Sequence, residues 1–108
     1  YLKKNTDLPT AFLTANEENA IGAMRALQRA GLRVPEDVSI VSFNDTPLSE
    51  MVDPPLTSIS TRMQEMSALA VQMVCERSGK REGARTYPVK VIVPPTLVLR
   101  DTVAAPRK

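Results

Sequence analysis

The sequence predicts an α/β protein whose parallel sheets are flanked by helices, and three observations carry that expectation. Short apolar runs and helical periodicity alternate over Ala11–Phe43. The same order recurs when strand-like Leu56–Ser60 precedes a helical Arg62–Arg77. Two proline pairs, Pro54-Pro55 and Pro94-Pro95, break strand-like sequence. Strands separated by a helix pair in parallel through a right-handed crossover.

The elements follow in order. "AFLTA", Ala11 to Ala15, is short, apolar and preceded by Pro9, which reads as a buried strand. Asn16 is a good N-cap, and Glu17 and Glu18 place negative charge in the first turn of the helix it opens. Ala20, Met24 and Leu27 recur at helical spacing to face the sheet, which leaves Ile21 turned partly outward. Gly31 ends the helix where φ > 0 is needed. "VPED" turns the chain into a second buried strand, Val38 to Phe43. After the polar tip Asn44-Asp45-Thr46 come Met51 and Val52, an apolar pair in what should be an exposed loop.

Beyond Pro54-Pro55, "LTSIS" is a short strand, and the following helix carries Met63, Met66, Ala70, Met73 and Val74 on one face, read as adaptable core. "SGKREGART" is a polar loop, and "YPVKVIVPPTLVLRDT" holds two strand-like pieces split by Pro94-Pro95. Proline cannot donate to a ladder, so each pair is expected to end one sheet and pass the chain to another.

Composition narrows the function classes. The 108 residues are one domain's worth, and the opening "YLKKNTDLPTAF" has no initiator Met, as in a piece of a longer protein. Fourteen Lys and Arg stand against twelve Asp and Glu, interspersed, for a net charge of +2, which is no nucleic-acid footprint. The single Cys75 fits a reducing compartment, and no apolar run reaches the roughly 18 residues of a membrane span. With no histidine, neither a Ser-His-Asp or Cys-His nucleophile nor a His-ligated zinc can be built from this chain. Glu17-Glu18 and Glu36-Asp37 read as first-turn or solvated acids rather than catalysts.

In a β-α-β unit both strands end on one edge, so Asn16 and Asn44 share it. Open α/β sheets bind ligands beyond that edge. Two planar amides with Asp45 match the paired donors and acceptors of a polyol. From the spacing alone, the simpler reading is that Asn16 is only a cap and Asn44-Asp45-Thr46 only a turn.

"PTAFLTANEENAIGAMRALQRAGLRVPEDVSIVSFNDTPLSEMVDPPLTSIS", with the later "VPPTLVLRDT", resembles the C-terminal third of the LacI–GalR family of bacterial sugar-responsive repressors from about Pro9 to Thr102. The resemblance implies a type I periplasmic-binding-protein-like fold, in which two α/β lobes joined by crossing strands hold a small molecule between them. Residues 1–54 would belong to the C-terminal lobe, 55–93 to part of the N-terminal lobe, and 94–108 would be the return strand and tail. Asn16 falls where the family has an Asn that bonds sugar hydroxyls, and Asn44 where many members place an Asp. Met63 matches a position that often holds an aromatic or apolar residue facing the ligand, and Asp45 joins the candidate ligand-binding residues from its place on the rim. Glu17 stands for a frequent Asp, and Ser42 and Ser67 for frequent glycines. Ile21, Met51 and Val52 lie where the family makes its two-fold dimer contact.

The resemblance therefore implies the sugar-binding and dimerisation part of a cytoplasmic transcriptional regulator that is not an enzyme. Its partners would be a small-molecule effector, a sugar, and a second copy of itself. DNA would be reached only through a headpiece outside this chain, with no cofactor, metal or membrane. The alternative is the periplasmic sugar-binding component of a transporter, and an α/β enzyme using Asp45 is a third reading.

Overall fold

The computed structural model describes residues 8–78 and 87–106. One four-stranded sheet organises them, in the spatial order β1-β2-β3-β4. Its strands are β1 (Ala11–Leu13), β2 (Ser39–Asn44), β3 (Thr57–Ser60) and β4 (Thr96–Val98). The helices are α1 (Glu17–Arg29), the short α2 (Leu48–Met51) and α3 (Met63–Ser78). No helix among the described residues is long and apolar enough to cross a membrane.

The first half follows the expected order of elements, but β1, expected to be buried, is an edge strand with Ala11 and Leu13 exposed and only Phe12 half-buried, because no further strand or helix covers its outer side among the described residues. β1 and β2 pair in parallel, Phe12 opposite Ile40, with α1 as the crossover. Asn16 caps α1 by accepting a 2.9 Å hydrogen bond at Oδ1 from the Asn19 backbone N–H. Gly31, at φ 76°, takes the left-handed turn that releases the chain. Ala20, Met24 and Leu27 of α1 meet Val38, Ile40 and Leu56 in the buried core, with Phe12, Leu32, Val34 and Val52 packed around them.

The proline pairs behave differently from the expectation. Pro54-Pro55 does not end the sheet. β3 starts two residues later and pairs in parallel with β2, Val41 opposite Thr57 and Asn44 opposite Ser60. β4 returns after Pro94-Pro95 antiparallel to β3, with Ser60 opposite Thr96. Each pair thus prefaces a strand of the same sheet, where a missing N–H costs nothing. The chain leaves this sheet after Ser60 and comes back at Thr96 on the same edge. The strand expected before Pro94 is also not formed. Residues 89–93 belong to no strand, because an alternating pattern supplies a tendency but a ladder needs a neighbour. Residues 79–86 of the polar loop lie outside the described residues.

Past β4 the chain turns back beside β2. Ile40 N–H donates to the Thr102 carbonyl at 2.8 Å, and Ala104 and Ser39 exchange bonds through the Ser39 hydroxyl at 3.1 and 3.3 Å. Thr102 is fully buried. Its Oγ1 donates to the Ile40 carbonyl at 2.7 Å and accepts from Thr57 N–H at 2.9 Å, so one side chain ties three segments.

One face of the sheet carries α1. On the other, register and the two-residue period align Leu13, Val41, Phe43, Ile59 and Leu97. Leu13 and Leu97 are exposed there. α3 buries none of its residues, so the methionine stripe read as core is not core among the described residues.

Candidate functional site

Three parallel strands deliver their carboxyl ends to one edge. β1 leads to Asn16 at the start of α1, β2 ends on Asn44 with Asp45 next, and β3 leads within three residues to Met63, the first residue of α3. The sheet therefore gathers Asn16, Asn44, Asp45 and Met63 on the rim where open α/β sheets receive ligands.

Backbone conformation marks the same rim. Among the described residues, the non-glycine positions with positive φ are Asn44 (95°), Asp45 (57°) and Arg62 (51°), and all three lie here. Such conformations cost roughly 1–3 kcal/mol and persist where surrounding structure imposes them, often at binding sites. Asn and Asp tolerate them better than most residues, which gives the Asn44-Asp45 pair a physical reason to be what it is.

The side chains at the rim have distinct partners. Asn16 spends Oδ1 on its cap, leaving its amide nitrogen out of that bond. Thr14 Oγ1 donates to the Asn16 and Val41 carbonyls at 3.2 and 3.3 Å, fastening the start of α1 to β2. Asp45 is not simply presented to solvent: its Oδ1 accepts from Arg100 Nη1 at 2.7 Å, and its N–H donates to Ser58 Oγ at 3.2 Å. Arg100 Nη1 also reaches the Leu56 carbonyl at 2.9 Å, and Nη2 reaches Glu50 Oε1 at 3.2 Å. The Arg100 side chain is only 14% exposed. That burial alone would lower its pKa, but the bonds to Asp45 and Glu50 outweigh it and hold the pKa above the ordinary value.

Glu17 departs from expectation. Rather than a solvated first-turn acid it is 1% exposed, and its Oε1 accepts from Thr46 N–H at 2.9 Å and Ser49 Oγ at 3.2 Å. The reason is the crossover geometry. The N-terminus of α1 abuts the loop that follows β2, so an acid there satisfies the loop's donors while staying at the helix's positive end. The buried hydroxyls of Ser42 and Thr46 have no hydrogen-bond partner among the described residues.

A second region lies on the outer side of α1. Ile21, Met51 and Val52 line one groove with Met24, Leu32 and Pro54, a cavity of about 530 Å³. Met51, at the end of α2, is 78% exposed, whereas Val52 is half-buried against the core. Sequence reasoning named the three apolar residues but missed Glu17, Ser49, Arg100 and Thr102 as anchors. The one available signal was an arginine directly after the apolar "LVL" run, in "LVLRDT".

These features define a periplasmic binding protein-like domain, and the profile of that domain matches residues 2–103. The chain is 39% identical over 110 residues to the HTH-type transcriptional repressor MelR of Bacillus subtilis (strain 168), covering 99% of this chain and 31% of that protein. It is 34% identical over 98 residues to the lactose operon repressor of Rhizobium radiobacter, covering 91% of this chain and 83% of that one. The solved structure of a dimeric Lac repressor with an 11-residue C-terminal deletion superposes with a TM-score of 0.83 at 37% identity, covering 93% of this chain and 35% of that chain. The chain belongs to the LacI family of transcriptional repressors. It spans about a third of the length of MelR, and its relatives are regulators, which favours that reading over the transporter component.

Proposed function

We propose that this chain is the part of a LacI-type repressor that holds one side of the effector site and the dimer contact, and that it catalyses no reaction. The carrying observation is the rim where Asn16 and the left-handed Asn44-Asp45 pair meet at the carboxyl ends of parallel strands. Planar amides at that edge suit the hydroxyls of a sugar, and the name of the related lactose operon repressor points to the same chemistry. β3 and β4 would be crossing strands, with Pro54-Pro55 opening the passage at residue 55 and Pro94-Pro95 the return at 94. Since β3 still pairs with β2, the part contributed to a second lobe would begin after Ser60 rather than at residue 55 and run to 93, with Met63 facing the sugar from beyond the crossing.

A sugar bound between lobes shifts the DNA-binding equilibrium only through unequal affinity for the open and closed arrangements. The protein would work in the cytoplasm with its operator, through a DNA-binding segment outside this chain. In the full-length protein, Asn16→Ala and Asn44→Ala are each expected to weaken sugar binding by roughly 1–3 kcal/mol, the cost of leaving buried polar partners unpaired. Calorimetric titration checks this, and unchanged curves for both variants would remove the assignment.

The groove at Ile21, Met51 and Val52 supports the dimer reading, since an isologous contact buries each patch against its mate. Ile21→Glu would put an unpaired carboxylate in that contact. Sedimentation velocity at micromolar concentration is expected to show a wild-type dimer and a variant shifted toward monomer. A wild-type monomer, or an undisturbed variant dimer, would refute the contact.

A further inference from the structure

We propose that Arg100 is a positioning residue of the effector site, which by gripping Asp45 fixes the left-handed Asn44-Asp45 turn and so sets how Asn44 meets the sugar. This rests on the effector-site reading and adds to it a residue that is itself placed to touch protein groups rather than ligand.

The guanidinium makes three bonds at once. Nη1 donates to Asp45 Oδ1 at 2.7 Å and to the Leu56 carbonyl at 2.9 Å, while Nη2 donates to Glu50 Oε1 at 3.2 Å. Its own backbone is pinned, because Arg100 N–H donates to Thr57 Oγ1 at 2.9 Å and Asp101 N–H to the Pro55 carbonyl at 3.0 Å. The cation is therefore a fixed post and not a swinging side chain. Asp45 is held from both ends, by this ion pair and by its N–H on Ser58 Oγ at 3.2 Å. Asn44, at φ 95°, precedes it directly and cannot relax to an ordinary conformation without dragging Asp45 off the post. Both partners are mostly buried, with side chains 14% and 15% exposed, so water does not readily replace either in the pair. Glu50, 74% exposed, is the dispensable third contact.

A planar fork explains why arginine stands here. Lysine is a compact point charge on a flexible stem and cannot reproduce the geometry that reaches a carboxylate, a carbonyl and a second carboxylate together. Asp45 then acts on the sugar indirectly: its first duty is to Arg100, and Asn44 carries the recognition.

The test uses the full-length protein with Arg100→Met, Arg100→Lys and Asp45→Asn, read by amide hydrogen exchange and by titration with galactose, lactose and ribose. Arg100→Met is expected to speed exchange at the Asp45 and Thr46 amides at least about tenfold while the amides of Ala20–Leu27 stay protected, and to weaken the tightest-bound sugar by about tenfold. Arg100→Lys falls between, since it keeps the charge and loses the fork. Unchanged exchange at residues 45–46, or unchanged sugar affinity in Arg100→Met, overturns the proposal. Should Arg100→Met loosen the whole sheet, Asp45→Asn decides, because it keeps the side-chain volume and must still speed the same two amides. If instead Asn16→Ala and Asn44→Ala both leave sugar binding intact, the effector-site reading fails, and the exchange data judge the grip on the turn by themselves.

Discussion

Expressed alone, the 108-residue chain is expected to associate, or to lack a cooperative transition, rather than to unfold as a stable monomer. The described residues bury a small core of Ala20, Met24, Leu27, Val38, Ile40 and Leu56 on one face of the sheet. The opposite face turns Leu13 and Leu97 to solvent at 67% and 58% exposure, beside half-buried Val41, Phe43 and Ile59. α3 buries no side chain, although Met63, Met66, Val71 and Val74 are apolar. The dimensions agree: the radius of gyration is 19.7 Å, against about 13 Å for a compact domain of this length. Exposed apolar surface of this extent finds a cover or aggregates. Sedimentation equilibrium combined with thermal unfolding followed by circular dichroism checks the expectation. A monomer with one concentration-independent transition would contradict it.

The second large effect is expected at Glu17. Glu17→Leu keeps the side chain's bulk but leaves Thr46 N–H and Ser49 Oγ without the acceptor they share, at 2.9 and 3.2 Å. Orphaning the buried Ser49 hydroxyl and the part-buried Thr46 N–H costs roughly 1–3 kcal/mol each, so the full-length protein should lose on the order of 2–6 kcal/mol in urea unfolding. Glu17→Gln retains an oxygen acceptor at the same reach and should lose about 1 kcal/mol. The ordering matters more than the values, because equal losses would mean that Glu17 acts by filling space. Since the loop it fastens begins at the rim, Glu17→Leu should also weaken sugar binding, with Glu17→Gln close to wild type.

What was legible in the sequence followed from local chemistry. The cap at Asn16, the stripe Ala20, Met24 and Leu27, the stop at Gly31 and the strand that follows are all set by neighbours within one or two turns. Parallel pairing then came from the handedness of the crossover, and with it the shared rim of Asn16 and Asn44. What was not legible rests on contacts distant along the chain. Glu17 meets Ser49 across 32 residues, and Arg100 meets Asp45 across 55. Before folding, Glu17 looks like any first-turn acid and Arg100 like any surface cation. The proline pairs misled because a residue without an N–H can equally close one strand or stand ahead of the next. Only the neighbouring strand decides, and β2 accepts β3 directly after Pro54-Pro55.

The segment that turns back beside β2 also fixes an order of events. Ile40 lends its N–H to the Thr102 carbonyl and its own carbonyl to the Thr102 hydroxyl, a partner that lies 62 positions later. During synthesis at about 5–20 residues per second, roughly 3–12 s pass between the appearance of the two. Over that interval both backbone groups of Ile40 can be satisfied only by water or by a stand-in, although α1 and β1 are already made. A strand at the heart of the sheet is in this way among the last to be completed, and the nascent chain carries an open edge until the ribosome has passed Thr102.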